Sequence, residues 1–501
     1  MTARNLGVLD TNLRNSPLTA LIAPQDEGPA LTYRYEQLNQ QADAIGRALL
    51  ARGFEPGCRV AILGLNSIPY ITALLGILRA GLVAVPINIK LPTNTLHAIV
   101  RDSGAVLAFA DEAQRHRLPP ALPYVSFSDD AWHAFADPGP LTPYQARPQD
   151  LALLLYTSGS SGMPKGVRLT HDSHRWVVQT RRDAGELEGE RLLIAAPFYH
   201  MNALALILLS LASGVSAVIL PQFTAPAYIR AIHDFRCSWL TAVPPMIAMM
   251  LHEKALLASS DMTCVRVVRM GSAPVSASLL TQIRRLLPTA RIINAYGTTE
   301  GGPVVFGPPP DGLEPPPLAT GYPHPEVQLR LRDAHGTLSD YGVLEINSPA
   351  LMQGYHQRPD IPPPFTPDGF YRTGDIFRRD EAGFYTFVGR HDDMFVCGGE
   401  NIYPSEVEQL LERHPDVQQA CVVPVDDEIK GAKPVAWVIL RPGRQSDEET
   451  LKAFALTHGA AYLHPRRIWL LDRFPLAGTN KIDRSALKAE AARRMRDDSP
   501  R

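Results

Sequence analysis

Leu38, Ala42, Ile45 and Leu49 recur at helical spacing after Thr32-Tyr33, and Gly53 ends the run. That pattern predicts an amphipathic helix with one apolar face. The compact apolar stretch 59–64 follows, short and rich in β-branched residues, and predicts a buried strand. A helical stretch over 70–80 and a strand-like run over 82–86 repeat the alternation. Further short apolar runs lie at 151–155, 192–196, 215–220, 265–269 and 291–295, each beside turn residues or a helical segment. Strands alternating with helices imply a wound, largely parallel sheet. Proline clusters at 308–310, 315–317 and 362–364 suit neither helix interiors nor central strands, so they predict surface connections.

The last hundred or so residues follow a different pattern. A strand over 383–388 leads into the polar turn Gly389-Arg390-His391-Asp392-Asp393. A helix over 405–412 and strands over 419–424 and 435–440 come next. The expected fold class is α/β. Residues 1–389 form a large domain of wound β-sheets flanked by helices, 390–393 a hinge, and 394–501 a small mobile α+β domain.

Composition narrows the class. The chain has 501 residues, 45% hydrophobic and 20% charged, which fits a soluble globular protein of more than one domain. A net charge of −2 gives no overall footprint for nucleic acid or an acidic membrane surface. The N-terminus lacks an apolar core followed by a small-residue cleavage site, so no secretory leader is expected. The apolar stretch 204–220 contains Ser and Gly and falls short of a membrane span. Five scattered cysteines without a CxxC pair argue against a disulfide framework or a zinc site, and a reduced cytoplasm is the expected home.

The chemistry is concentrated in a few segments. Directly after the run 151–155 stands Tyr156-Thr157-Ser158-Gly159-Ser160-Ser161-Gly162-Met163-Pro164-Lys165-Gly166. Glycines free the backbone, small hydroxyls can bond anionic oxygens, and Lys165 adds a mobile cation, so the segment suits a polyphosphate. The order is not that of a Walker A loop. Asn294-Ala295-Tyr296-Gly297-Thr298-Thr299-Glu300-Gly301 offers an aromatic face, hydroxyls and one carboxylate; Mg2+ needs oxygen ligands and keeps substrate phosphates in its shell. Tyr371-Arg372-Thr373-Gly374-Asp375 supplies a carboxylate able to accept from a diol. The charged run from Arg390 to Asp393, with Gly398-Gly399 shortly after, suits a hinge followed by a tight loop. His171 and His174 form an HxxH pair with no third ligand nearby, and metal binding there is set aside.

Taken together these segments resemble the adenylate-forming superfamily, which includes acyl-CoA synthetases, adenylation domains and luciferases. The resemblance runs from about residue 30 to about residue 488. It implies that Thr157, Ser158, Gly159, Ser160, Ser161, Gly162 and Lys165 close over ATP phosphates, and that Gly271, Ser272 and Ala273 border the adenine. It places Tyr296, with Gly297 and Thr298, on the adenine side, Thr299 at the α-phosphate, Glu300 on Mg2+, and Asp375 on the ribose diol. Arg390 would approach the nucleotide, Asp392 would be the hinge, and Gly398 and Gly399 would line the thiol's approach. Lys481, in Pro475-Leu476-Ala477-Gly478-Thr479-Asn480-Lys481-Ile482, would bridge carboxylate and α-phosphate; the family commonly has Gly where Asn480 stands.

The implied activity joins a carboxylic acid to coenzyme A through an acyl-adenylate, consuming ATP and releasing AMP and pyrophosphate. The acyl pocket is expected near Pro197-Phe198-Tyr199-His200-Met201-Asn202, with Phe198, His200, Met201 and Val305 as candidate lining. Amino-acid-activating domains usually carry Asp near His200, and malonate-type ligases Arg at Ala295. Both absences point to an uncharged aromatic or short-to-medium aliphatic acid, in a layout similar to benzoate-type CoA ligases. Tyr462-Leu463-His464-Pro465 lacks the lysine of the family's Tyr-Lys-x-Pro segment, which weakens one coenzyme A contact. An acyl-carrier protein as acceptor, a luciferase-like oxygenase and a degenerate nucleotide-binding module are the competing readings. Monomer and homodimer both stay open.

Overall fold

A computed structural model describes residues 4–8, 10–25, 27–157, 164–310, 312–397, 400–427, 430–478 and 480–497. The helix Tyr35–Ala51 buries the predicted face of Leu38, Ala42, Ile45 and Leu49. It packs on the helix Ile68–Arg79, which Ser67 caps by accepting the Tyr70 amide. The two backbones touch at paired glycines: a Cβ on Gly76 would lie 2.8 Å from the Ile45 Cβ, so a larger residue there would push the helices apart. Each buried Leu or Ile contributes roughly 1.5–3 kcal/mol through water exclusion.

Two sheets make the large domain. One runs in the order Arg291–Ala295, Val267–Gly271, Trp239–Ala242, Arg191–Ile194, Ser216–Ile219, Thr19–Ala23 and Leu31–Arg34. All its pairs are parallel except the last. The other runs Tyr124–Ser126, Leu107–Ala110, Arg59–Leu63, Val83–Pro86, Leu151–Thr157 and Lys165–Thr170. The largely apolar helix Met201–Ala212, polar only at Asn202 and Ser210, is buried with residues of both sheets in one core cluster. A helix enclosed by core has no broad polar face, which is why apolar residues fill nearly all its positions.

A third sheet is antiparallel: Leu338–Ser339, Gln328–Arg332, Tyr341–Asn347, Tyr371–Arg379 and Tyr385–Arg390. The strand predicted over 383–388 is the edge of this sheet, and it runs on to Arg390. Next comes a single 3-10 turn, His391–Asp393, and then the small domain. There Glu400–Ile402, Phe395–Cys397, Gly431–Leu440 and Val417–Asp427 form a sheet with Ile468–Leu470 added in parallel. Pro404–Glu412 and Glu448–His458 cover one face, while Leu487 and Ala491 of the helix Arg484–Asp497 pack with Trp437 on the other. Among the described residues no helix is long and apolar enough to cross a membrane.

Candidate active site

Parallel strands point their C-terminal ends at one edge of a sheet, and ligands collect at that edge. Here the ends of Arg191–Ile194, Trp239–Ala242, Val267–Gly271 and Arg291–Ala295 open on a cleft of about 1080 Å3, through the wall residues Ala196, Val243, Gly271 and Ala295. The antiparallel sheet and the small domain supply the rest of the wall, from Tyr371 through Arg390 to Lys481.

Thr157 and Lys165 face each other across the hairpin formed by Leu151–Thr157 and Lys165–Thr170. Ser158, Gly159, Ser160, Ser161 and Gly162, between them, lie outside the described residues, as do Gly398 and Gly399. The Lys165 ammonium sits 5.3 Å from the Tyr355 ring centre. The Thr298–Gly302 turn carries Thr299 and Glu300, and its Gly301 amide donates to the Thr298 hydroxyl at 2.7 Å. Glu300 Oε1 accepts from the hydroxyls of Tyr355 at 3.2 Å and Thr157 at 3.4 Å. That all-oxygen cluster fits the preference of Mg2+, which takes few protein carboxylates and completes its shell with phosphate and water. Among the described residues there is no cluster of three or more His, Cys, Asp or Glu side chains able to hold a metal alone.

Strand register sets the next pair. Asp375 stands opposite Arg390 in the antiparallel sheet, and Arg390 Nη1 donates to Asp375 Oδ1 at 2.9 Å. The Tyr296 hydroxyl donates to the other carboxylate oxygen. Burial pushes Asp375 above the usual carboxylate range, with Arg390 and Tyr296 pulling the other way. The Tyr296 ring lies edge-on against Phe377, 4.8 Å between centres. Ser272, after the Gly271 strand end, takes φ +67°, a left-handed conformation that turns the chain sharply beside Ala273.

The loop of the small domain reaches the same cleft. Asn480 has φ +59°, and Asn is the non-glycine residue that best accepts this region, so it can stand where the resemblance leads one to expect Gly. Tyr199 donates to the Gly478 carbonyl at 3.3 Å, tying the loop to the large domain. Burial lowers the Lys481 ammonium below its ordinary pKa, Asp375 opposes that, and Arg390 adds to it. His200 is held neutral, near 3, by burial and by Lys481 and Lys90.

The cleft therefore collects Thr157, Lys165, Gly271, Ser272, Ala273, Tyr296, Gly297, Thr298, Thr299, Glu300, Asp375, Arg390, Asp392 and Lys481, with His200 and Met201 of the expected acyl pocket. Phe198 and Val305 do not reach it. Phe198 is in the core with its ring 5.6 Å from Tyr70, and Val305 packs with Phe377. One residue apart along the chain, neighbouring side chains turn different ways, so proximity in sequence misplaced both. Sequence reasoning missed Tyr355 and Arg269, which also line the cleft. Tyr355 stands outside every motif. Arg269 reads as the polar end of an apolar run, yet the strand continues to Gly271.

The AMP-binding enzyme family model matches residues 10–356, and the model of the AMP-binding enzyme C-terminal domain matches residues 406–481. A fatty acid–[acyl-carrier-protein] ligase, ScoC, of Streptomyces coeruleorubidus is 32% identical over 92% of each chain. A feruloyl-CoA synthase of an Amycolatopsis species is 31% identical over 98% of this chain and all of its own. The solved anthranilate CoA ligase AuaEII in complex with anthranoyl-AMP superposes with a TM-score of 0.87 at 26% identity, covering 99% of both chains. Motif order, cleft geometry and these likenesses agree: the chain belongs to the AMP-binding enzyme family.

Proposed function

We propose that the protein is an ATP-dependent acid–thiol ligase that makes an acyl-CoA through an acyl-adenylate and releases AMP and pyrophosphate. The observation that carries this reading is the meeting of Lys481, from the small domain, with the Asp375–Arg390 pair and Glu300 in one cleft. The arrangement suits an acid carboxylate placed against the α-phosphate of ATP, with the lysine between them. Asp375 would hold the ribose diol, Tyr296 and the Gly271-Ser272-Ala273 turn the base, and Thr299 the α-phosphate. Lys165 and Thr157 would meet the outer phosphates, and Glu300 with its hydroxyl partners would hold Mg2+, which when bound offsets phosphate charge.

In the first step a carboxylate oxygen attacks the α-phosphorus and the bond to pyrophosphate breaks. The Lys481 cation offsets charge gathering on the phosphoryl oxygens and the repulsion between two anions. The protein otherwise positions the reactants, a large part of any such rate enhancement. In the second step the small domain turns about Asp392, the thiol attacks the acyl carbon, and AMP leaves. Gly398 and Gly399 would border the thiol's path.

An acyl-carrier protein is the second reading, favoured by the 32% likeness to ScoC and by Leu463 standing where the resembled Tyr-Lys-x-Pro segment would have a lysine. Incubation with MgATP, coenzyme A and a panel of acids, followed by pyrophosphate release and thioester mass spectrometry, decides. Acyl-CoA with pyrophosphate supports coenzyme A as acceptor. Pyrophosphate without acyl-CoA moves the acceptor to a carrier protein, and silence across a broad panel overturns the enzyme reading.

A further inference from the structure

Arg269 is 7% exposed and lines the cleft. Among the described residues its guanidinium makes one hydrogen bond, from Nη1 to Asn202 Oδ1 at 2.8 Å. Among the described residues no carboxylate lies within ion-pair distance of it. Glu186 is the acidic group whose charge it feels, but Arg181 already holds both Glu186 oxygens in a two-pronged bridge at 2.6 Å. Two buried arginines thus share one carboxylate, leaving a positive charge uncompensated below the surface. Burial and the Arg181 cation lower Arg269 to about 10, so it stays charged at neutral pH.

An uncompensated buried cation is costly to a fold and is retained where a ligand balances it. The surroundings add donors and no acceptor charge. Asn202 turns its Oδ1 to Arg269, and its Nδ2 is buried without a partner among the described residues. Asn202 lies in the first turn of Met201–Ala212, a helix start with no side-chain cap. The positive end of that helix favours an anion in the same direction. His200, neutral, also has a buried nitrogen without a partner among the described residues.

Position completes the case. Arg269 precedes Gly271 by two residues on one strand, so it shares the cleft face and lies about 6–7 Å deeper than the nucleotide turn. We infer that the acid taken by this site carries a second anionic oxygen group, such as a carboxylate, which Arg269 and Asn202 receive at the far end of the acyl pocket. The first carboxylate remains at Lys481 for activation. This inference rests on the acid-ligase reading above and names its substrate class. It replaces the uncharged acid expected from His200 and Ala295, since the cation comes from a neighbouring strand.

The test compares adipic and terephthalic acids with their monomethyl esters, read by pyrophosphate release. The wild type should favour each diacid by roughly 30-fold or more in kcat/KM, as a buried charge pair commands. Arg269→Met should erase that preference, mainly through diacid KM, while leaving turnover of the half-esters. Arg269→Lys should keep part of it. Equal use of diacid and half-ester by the wild type, or an equal loss for both in Arg269→Met, would overturn the inference while leaving the ligase reading intact. If no acid releases pyrophosphate, the ligase reading fails, and thermal stabilisation by the diacids alone then decides. Stabilisation of the wild type but not of Arg269→Met sustains the anion site; none in the wild type sinks it. Should Arg269→Met not fold, the wild-type comparison and Arg269→Lys decide between the same two outcomes.

Discussion

Lys481 is buried enough to lose part of its hold on its proton, and that shapes how it should fail. Lys481→Ala is expected to lower pyrophosphate release by about 100-fold or more, as for loss of a charge stabiliser, with ATP affinity largely kept. In the wild type, adenylation should fall on the alkaline side below the ordinary lysine range, because the cation disappears above its lowered pKa. Lys481→Arg should move that limb upward, which a pH profile of initial rates would reveal. The HxxH pair is a different matter. His171 accepts the Leu6 amide at 2.9 Å, and His174 lies between Ser173 and Met201. Burial holds both imidazoles near 4, against 6.5 when unfolded. Their stabilising contribution is therefore full above about pH 6.5 and lost as pH falls from there toward about 4. Urea midpoints measured across that window should decline, and His174→Leu should flatten the slope. Motif residues were legible in the sequence because each sits among chemically distinctive neighbours. Arg269 was not, since its meaning depends on Arg181 having already claimed Glu186.

Elements with regular apolar spacing were readable one at a time. The helix Tyr35–Ala51 and the strand Arg59–Leu63 stand close to their predicted positions. The pair Thr19–Ala23 and Leu31–Arg34 was not foreseen: it is short, and its partner strand Ser216–Ile219 lies far along the chain. The antiparallel sheet was hidden for another reason. Glu345, almost fully buried, accepts from Arg330 at 2.6 Å, Arg332 at 3.0 Å and Arg372 at 3.2 Å. These charges look like solvated positions until three strands lie side by side. The turn bearing Glu300 depends on close approach. Gly302 has φ +87°, and a Cβ there would stand 2.4 Å from the Ala350 Cβ. Gly302→Ala should cost about 1–3 kcal/mol from strain and overpacking. Denaturant unfolding would measure the loss, and the KM for MgATP should rise as Glu300 is displaced.

On the scale of the whole molecule, the proposed two-step reaction would require the small domain that carries Lys481 both to arrive and to depart. The connection is a single 3-10 turn, His391–Asp393, and Asp392 is its middle residue. Asp392→Pro would restrict rotation about that backbone. Pyrophosphate release should persist while thioester formation slows by at least about tenfold, about 1.4 kcal/mol in barrier. Rapid-quench separation of the two half-reactions would read the difference, and equal slowing of both would place the pivot elsewhere. Two domains could be anticipated from length and from the change of pattern near residue 390. Their mutual placement could not, because it depends on contacts such as Gln418 with His252, 2.7 Å apart and 166 residues apart in sequence.

The hydrogen bond from Tyr199 to the Gly478 carbonyl links two jobs usually treated apart. Tyr199 adjoins His200 on the acyl side, and Gly478 stands three residues before Lys481. The Tyr199 ring packs edge-on against the cleft residue His200, 4.7 Å between centres, so an acid too bulky for the pocket would press on Tyr199 through His200 and unlatch the loop that brings the lysine. Such an acid would still bind, yet it would wait unactivated, so the enzyme would reject it by idling rather than by weak affinity. Misfits should then act as competitive inhibitors with little turnover, and Tyr199→Phe should blur that distinction by lowering kcat for well-fitting acids toward the same level.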